Sequence, residues 1–265
     1  MELQIIISSI NRQPIDIDSE TIKYPNLIVI NQVPNKLDLN LNEENINGLR
    51  WINIDQRGLS KSRNHALEIS EADIIYLADD DIVLKENFRE IVIKSFIDNP
   101  EIDILAFNIK GIEEEFKKEV TIEKEIGFLG SMKLSSVQLV FKQEFIKKNN
   151  IKFDELFGAG SKYTMGEENI FLFDALKKGA KIKFIPQTIA KLHIGKSTWF
   201  EGLNSKYLFD KGASFWRMFS WFAPVYSLTY CIRKRNEYKK YLGFFEAYRQ
   251  TLYGMKDYLN NKESD

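Results

Sequence analysis

A chain of 265 residues with 44% apolar and 28% charged side chains has the makings of one large soluble domain, or of a domain with a smaller appendage. Its 37 basic and 38 acidic residues leave a formal net charge of −1, so no overall field attracts a polyanion and nucleic-acid binding gets no support from charge. The single cysteine, Cys231, excludes an intrachain disulfide framework and a multi-cysteine zinc site, and it fits a reducing compartment.

Leu3 to Ser9 is a near-continuous apolar run that reads as a strand and ends in the polar cluster Ser8-Ser9-Ile10-Asn11-Arg12. The chain enters this strand at once, with no basic n-region or cleavage site, so no signal peptide is expected. No uncharged apolar stretch is long enough to cross a bilayer, and a cytoplasmic location is the default expectation. Leu27 to Ile30 is a second run, ending in Asn31-Gln32, and Trp51 to Ile54 is a third. Ser60 to Ser70 reads as a helix with Ser60 as its N-cap and Ala66, Leu67 and Ile69 on its apolar face. Just before and within it, Arg57-Gly58-Leu59-Ser60-Lys61-Ser62-Arg63-Asn64 sets cations beside a helix N-terminus, a recipe for holding phosphate or simply a solvated basic turn.

The fourth run, Ile74 to Leu77, stops at Ala78-Asp79-Asp80-Asp81. Three consecutive carboxylates repel one another and are costly to bury unpaired, so they belong at an exposed strand tip. In an open α/β sheet that tip is where ligands bind, and a hard divalent ion such as Mg²⁺ or Mn²⁺ could hold the oxygens together. A strand-like geometry would point Asp79 and Asp81 one way and Asp80 the other. An idle, solvated acidic loop is the competing reading of the triplet alone.

A helix from Asn87 to Phe96, closed by Asn99-Pro100, precedes a fifth strand, Ile102 to Phe107. Residues 111 to 127 mix Glu, Lys and Ile and read as an irregular or edge-strand excursion. Val137 to Phe141 is another strand, followed by the short helix Gln143 to Lys148. The glycine-rich loop Phe157 to Tyr163 leads to a helix near Glu167 to Lys178, which opens on Gly166-Glu167-Glu168-Asn169. Acids there complement the helix dipole, and one of them is also a candidate general base. Lys181 to Ile185 is a strand expected to end at Pro186. His193 follows in Leu192-His193-Ile194-Gly195-Lys196-Ser197-Thr198 and is a candidate metal ligand, against the commoner outcome of a structural histidine. The other histidine, His65, has no obvious partner. Continuous apolar runs imply strands covered on both faces, hence a Rossmann-like three-layer α/β/α domain with a mostly parallel sheet.

Past Ser214 the composition shifts to Phe215-Trp216-Arg217-Met218-Phe219-Ser220-Trp221-Phe222, with Pro224 expected to break the helix and Arg233-Lys234-Arg235 and Lys239-Lys240 beyond. Two expectations compete for this segment. Residues 215–240 form a peripheral contact with the inner face of a membrane, or a helical appendage packs its aromatics on the main domain. A final amphipathic helix, Phe244 to Leu259, closes the fold. The division expected is 1–213 for the α/β domain and 214–265 for the aromatic and basic helical segment.

The order of these features resembles the family 2 inverting glycosyltransferases of the GT-A fold, in particular bacterial members that decorate surface polysaccharides. The resemblance spans roughly residues 3 to 213. Ser9-Ile10-Asn11-Arg12 matches the nucleotide-contacting end of the first strand, and Gly58-Leu59-Ser60 with Arg63-Asn64 looks like the Gly-x-Ser-x-x-Arg-Asn stretch. Asp79-Asp80-Asp81 stands where the DXD motif belongs, Glu167-Glu168 at the acidic pair, and His193 where many members supply a metal ligand. Asn31 departs from the usual aspartate, and Glu168 from the usual catalytic aspartate.

The resemblance implies a nucleoside diphosphate sugar donor, of which UDP-sugars are the commonest, and a glycan or lipid-linked glycan acceptor. Ser9, Asn11, Arg12, Asn31, Arg63, Asp79, Asp80 and Glu167 would then contact substrate. Asp81, His193 and Asp79 would hold Mn²⁺ or Mg²⁺, and Glu168 would be the base, with Glu167 the fallback. The loop 158–166 would be a mobile segment shaping the acceptor site. A metal-dependent nucleotidyltransferase is the rival enzyme, disfavoured by the absence of glycine in Ser8 to Pro14. A catalytically silent sugar-nucleotide binder or membrane assembly partner is the rival from another class.

Overall fold

The apolar runs become the centre of a ten-stranded sheet in the computed structural model, which describes residues 1–13, 17, 21–34, 43–46, 49–194 and 202–262. Its strands are β1 (Leu3–Ile10), β2 (Leu27–Gln32), β3 (Glu43–Ile46), β4 (Leu49–Ile54), β5 (Ile74–Asp79), β6 (Ile82–Leu84), β7 (Ile104–Gly111), β8 (Lys124–Glu125), β9 (Leu139–Lys142) and β10 (Ile182–Leu192). They are ordered β3-β4-β2-β1-β5-β9-β7-β10-β6, with β8 added on β10. β4, β2, β1, β5, β7 and β10 run the same way, and the other strands oppose them.

Alternate residues of each central strand enter opposite cores. Ile5, Ile7, Val29, Tyr76 and Ala78 pack on one face with Phe88, Val92 and Phe96 of helix α2 (Phe88–Asp98). Ile6, Ile28, Ile30, Ile75 and Leu77 pack on the other, with Ala66 and Leu67 of α1 (Leu59–Ile69), and with Phe171 and Leu172 of α5 (Glu167–Lys177). Two short helices, α3 (Phe128–Ser131) and α4 (Gln143–Lys148), complete this part. Each large apolar side chain so buried contributes about 1.5–3 kcal/mol, which is why uninterrupted runs are held in the middle of the sheet.

Three local expectations are corrected. Pro186 does not end its strand: β10 continues to Leu192, with register shifts between Ile185 and Thr188 and between Thr188 and Ala190. A proline has no N–H to donate, and such irregularities are where a strand accommodates one. Ser60 is not the N-cap of α1. Gly58 is, and Ser60 is buried inside the first turn, donating to the carbonyl of Phe157 at 2.6 Å. Pro224 does not break a helix either. It stands in the first turn of α7 (Ala223–Arg233), where its missing N–H is no loss, and the break falls at Ser220, in a left-handed conformation of φ +53°.

The C-terminal helices are α6 (Ser205–Phe219), α7, α8 (Arg235–Tyr238) and α9 (Phe244–Lys262). The helical part therefore begins at Ser205, and residue 213 lies inside α6. Phe215 and Met218 are buried in a cluster with Phe157, Tyr163, Ile170 and Phe173, and Arg217 pairs with Asp154 at 2.8 Å and Asp174 at 2.6 Å. The aromatic stretch is thus partly core. α6 and α9 cross in close backbone contact: a Cβ on Gly212 would lie 1.9 Å from the carbonyl oxygen of Thr251, and one on Gly254 1.8 Å from that of Phe209. We expect Gly254→Ala to push the helices apart and lower stability by about 1–3 kcal/mol. Chemical denaturation measures this, and an unchanged midpoint would show that the crossing relaxes freely.

Candidate active site at the carboxyl ends of the strands

The three aspartates do not share one environment. β5 ends at Asp79, and a turn at Asp80-Asp81 leads into β6, replacing the simple alternation expected of a strand. Asp79 accepts from Arg63 Nη2 at 3.0 Å, and Asp80 pairs with Arg12 Nε at 2.8 Å. Among the described residues no cation of Arg or Lys pairs with Asp81. Partial desolvation of its otherwise accessible carboxyl, reinforced by Asp79 and Asp80, pushes the Asp81 acid up to about 6.

His193 is brought to Asp81 by strand pairing. β6 runs antiparallel to β10 with Ile82 opposite Leu192, and the ladder continues as the His193 amide donates to the Asp81 carbonyl at 3.1 Å. The imidazole is oriented by Glu113, whose carboxylate contacts His193 Nδ1 at 2.8 Å and accepts from the Ile194 amide at 2.7 Å. Those two bonds hold the Glu113 acid below the usual carboxylate range. With Nδ1 engaged, Nε2 is the nitrogen left for a ligand. Glu113 reaches this position because the chain doubles back at Gly111, where a Cβ would lie 1.9 Å from the Glu114 carbonyl oxygen. Gly195-Lys196-Ser197-Thr198, singled out beside the histidine, lies outside the described residues.

Arg63 is placed differently from the expectation of a phosphate contact. It is only 1% exposed, and its guanidinium joins Asp79 at 3.0 Å, Glu167 Oε1 at 3.1 Å and Ser136 Oγ at 2.8 Å, lying over the Phe153 ring. Burial opposes its charge, but Asp79, Glu167 and Glu168 together raise its pKa. Arg63 is therefore a buried strut that ties β5 to the start of α5. The start of α1 is also occupied by protein acceptors: Gly58 N–H donates to Gln32 Oε1 and Leu59 N–H to the Ala159 carbonyl. An anion at that helix end would have to displace them.

The acidic pair divides in the same way. Glu167 is buried against Arg63; burial and the neighbouring Glu168 push its acid well up, against the pull of Arg63. Glu168 is half-buried, and its charge is felt by Arg63, Glu167 and Lys117. Of the two it is the one with access to a ligand. Lys117, from the charge-rich excursion, donates to Ser135 Oγ at 2.6 Å and Gln138 Oε1 at 3.0 Å, and burial pushes its ammonium down to about 8.

Beside the end of β1, Asn31 of β2 is buried and both ends of its amide are engaged. Its oxygen accepts from the Arg12 amide at 3.0 Å, and its nitrogen donates to the Arg12 carbonyl at 3.1 Å and to Asn53 Oδ1 at 2.9 Å. Asn31 thus sets the path of the loop that carries Asn11 and Arg12, and it does not present a free amide. Ser9 is buried beside it, at 3.4 Å. Asn11, in a left-handed conformation of φ +49°, is exposed.

The glycine-rich loop is tied down instead of forming a free lid. Phe157 and Tyr163 are fully buried, Gly158 N–H donates to the Tyr163 carbonyl at 2.8 Å, and the Tyr163 hydroxyl donates to Asp257 at 2.7 Å. Asp210 of α6 accepts from both the amide and the hydroxyl of Thr164.

The sequence profile of Glycosyl transferase family 2 matches residues 3–171. No curated protein matches the chain. Among solved structures, S. aureus TarS residues 1–349 superimpose with a TM-score of 0.60 at 16% identity, over 82% of this chain and 65% of that one. The same fragment in complex with UDP-GlcNAc gives a TM-score of 0.61 at 14% identity, over 90% of this chain and 74% of that one. Full TarS gives 0.60 at 14% identity, and this chain spans 45% of its length. The α/β sheet with C-terminal helices is therefore the GT-A arrangement.

Proposed function

The chain belongs to glycosyl transferase family 2, and on that premise we propose that it moves a sugar from a nucleoside diphosphate sugar to a hydroxyl of a glycan or lipid-linked glycan, inverting the anomeric configuration. The observation that carries this reading is the meeting of Asp81 and His193 at the tip of β5, with Glu168 on the adjoining helix start. A fold relative that holds UDP-GlcNAc supports uridine diphosphate as the carrier.

The donor lies across the carboxyl ends of β1 and β5, with Asn11, Arg12 and the Asp79–Asp81 turn beside it. Arg12 is held by Asp80 at the rim, and Asp79 is held by Arg63. That leaves Asp81 and His193 as the residues for Mn²⁺ or Mg²⁺. Among the described residues no three His, Cys, Asp or Glu side chains are grouped to hold a metal by themselves, so the protein's share would be two donors, the Asp81 carboxylate and an imidazole already fixed by Glu113, with the diphosphate oxygens supplying the rest. The chemistry such an ion would supply is neutralisation of charge on the diphosphate leaving group. Glu168 takes the proton from the acceptor hydroxyl, whose oxygen attacks the anomeric carbon from the face opposite the leaving group. Arg63 and Glu167 act from beneath, keeping Asp79 and the start of α5 in register.

Two expected results follow. Proton NMR of the product formed from an α-linked UDP-sugar should show a β anomer; an α product would overturn the inverting reading. Cation-dependent binding of UDP should weaken as the pH falls through about 6, because Asp81 then keeps a proton that the ion must displace. For the protein alone the sign is opposite. The Asp81 pKa is raised from 3.8 to about 6, so its stabilising share is full at low pH and is lost as the pH rises through about 6. Thermal shifts with Mn²⁺ and UDP at pH 5, 6 and 7 test this, and a shift that grows toward acid would contradict the assignment.

A further inference from the structure

Helix α7 packs the wrong way round for a water-facing helix. Its inward positions are the small residues Ala223, Ser227 and Cys231, all fully buried. Its outward stripe is large and apolar: Val225 is 64% exposed, Leu228 37% and Ile232 59%, positions that recur every three or four residues and so form one face. Trp221, 84% exposed, and Phe222, 77% exposed, precede it on the 3-10 turn Ser220–Phe222. Phe245, 86% exposed, adds to it at the start of α9, where Ala247 and Tyr248 share a cluster with Cys231 and Tyr230.

The display is built into the backbone. Ser220 ends α6 at φ +53° and ψ −124°, a sparsely populated conformation that costs a non-glycine residue about 1–3 kcal/mol, and the turn it makes carries Trp221 and Phe222 outward. The Trp221 ring is braced edge-on against Trp216 at 5.7 Å.

Charge identifies what covers the stripe. Directly after it come Arg233, Lys234, Arg235, Lys239 and Lys240, against the single acid Glu237, which pairs with Lys234 at 2.7 Å. The chain as a whole carries −1, so this concentration of cations is local. We propose that α7 and the basic segment after it dock the protein on the surface of a bilayer containing anionic lipid. The apolar stripe would enter the headgroup boundary and the cations would meet the lipid phosphates. No helix among the described residues is long and apolar enough to cross the membrane, so the contact is one of lying on it. A second copy of the chain could cover the stripe but carries the same cations and would leave them without a counter-charge. A soluble polyanion would satisfy the cations and leave Trp221 and Phe222 in water.

The proposal is independent of the transfer reading and is tested without any donor. The full chain is sedimented with vesicles of phosphatidylcholine alone and of phosphatidylcholine with phosphatidylglycerol. The wild type should bind the anionic vesicles and bind neutral ones weakly. The W221A/F222A double variant should lose roughly two orders of magnitude in binding, with its melting temperature lowered by only a few degrees, since both side chains are largely exposed and only the edge contact of Trp221 with Trp216 is lost. The R233Q/K234Q/R235Q variant should lose roughly a hundredfold on anionic vesicles alone. Equal partition of all three proteins would overturn the proposal. So would binding to soluble polyphosphate in place of vesicles, or a concentration-dependent dimer in ultracentrifugation that W221A/F222A abolishes.

Discussion

Replacing Glu168 with glutamine is expected to lower sugar transfer by roughly 10²–10⁴-fold, the usual share of a positioned general base, while the protein stays folded and still binds donor. Glutamine keeps the shape of the side chain and most of its hydrogen bonding, and Glu168 is half-buried at the surface of a helix start, so stability has little reason to fall. What is lost is the ability to accept a proton as the acceptor oxygen attacks. Glu167→Gln makes the informative contrast. Glu167 is turned inward onto Arg63, so its variant should act on stability more than on turnover. Steady-state turnover and melting temperature, measured for both, separate the two roles. Full activity in Glu168→Gln would remove it as the base, and a large loss of activity in Glu167→Gln with an unchanged melting temperature would exchange the assignments.

Arg63→Ala is expected to cost roughly 3–5 kcal/mol of stability, since it leaves buried carboxyl groups without the cation that holds them. Against a typical domain stability of about 5–15 kcal/mol, that loss brings the fold close to failure. Arg63→Lys should recover only part of it, because an ammonium lacks the planar fork that meets Asp79, Glu167 and Ser136 together. The pH dependence adds a check on mechanism. Without Arg63 the acid of Glu167, already raised, rises further above its unfolded value, so the variant's folded state holds a proton that its unfolded state does not. That stabilising share is present at low pH and lost as the pH rises, and the gap between variant and wild type should narrow toward pH 5. Denaturation at two pH values measures it. A gap that widens toward acid would mean that the arginine does not neutralise these carboxyls.

Much of the frame was legible in the sequence because it depends on local pattern. Uninterrupted runs such as Leu27 to Ile30 and Ile74 to Leu77 mark strands buried on both faces, and an abrupt change to Asp79-Asp80-Asp81 marks a strand tip at the ligand edge. What periodicity cannot encode is pairing across the chain. Arg63 reads as a basic first turn ready for phosphate, and only the packing of α1 beneath β5 and α5 shows that its charge is already matched inside. Glu113 and Lys117 belong to a mixed-charge stretch with no period. Their importance comes from the close approach at Gly111 and from the 133–138 turn, which no spacing announces. Asp81 and His193 were expected together from resemblance alone, and the antiparallel ladder of β6 on β10 is the physical reason they meet.

Asp81 and His193 would hold a divalent cation for the donor's diphosphate, and calorimetric titration of UDP into the protein tests that most directly. With Mn²⁺ present UDP should bind; with the cation chelated, or in Asp81→Ala, affinity should fall by at least about tenfold, a loss of about 1.4 kcal/mol. Undiminished binding of UDP without any cation, and by Asp81→Ala as well, would contradict it.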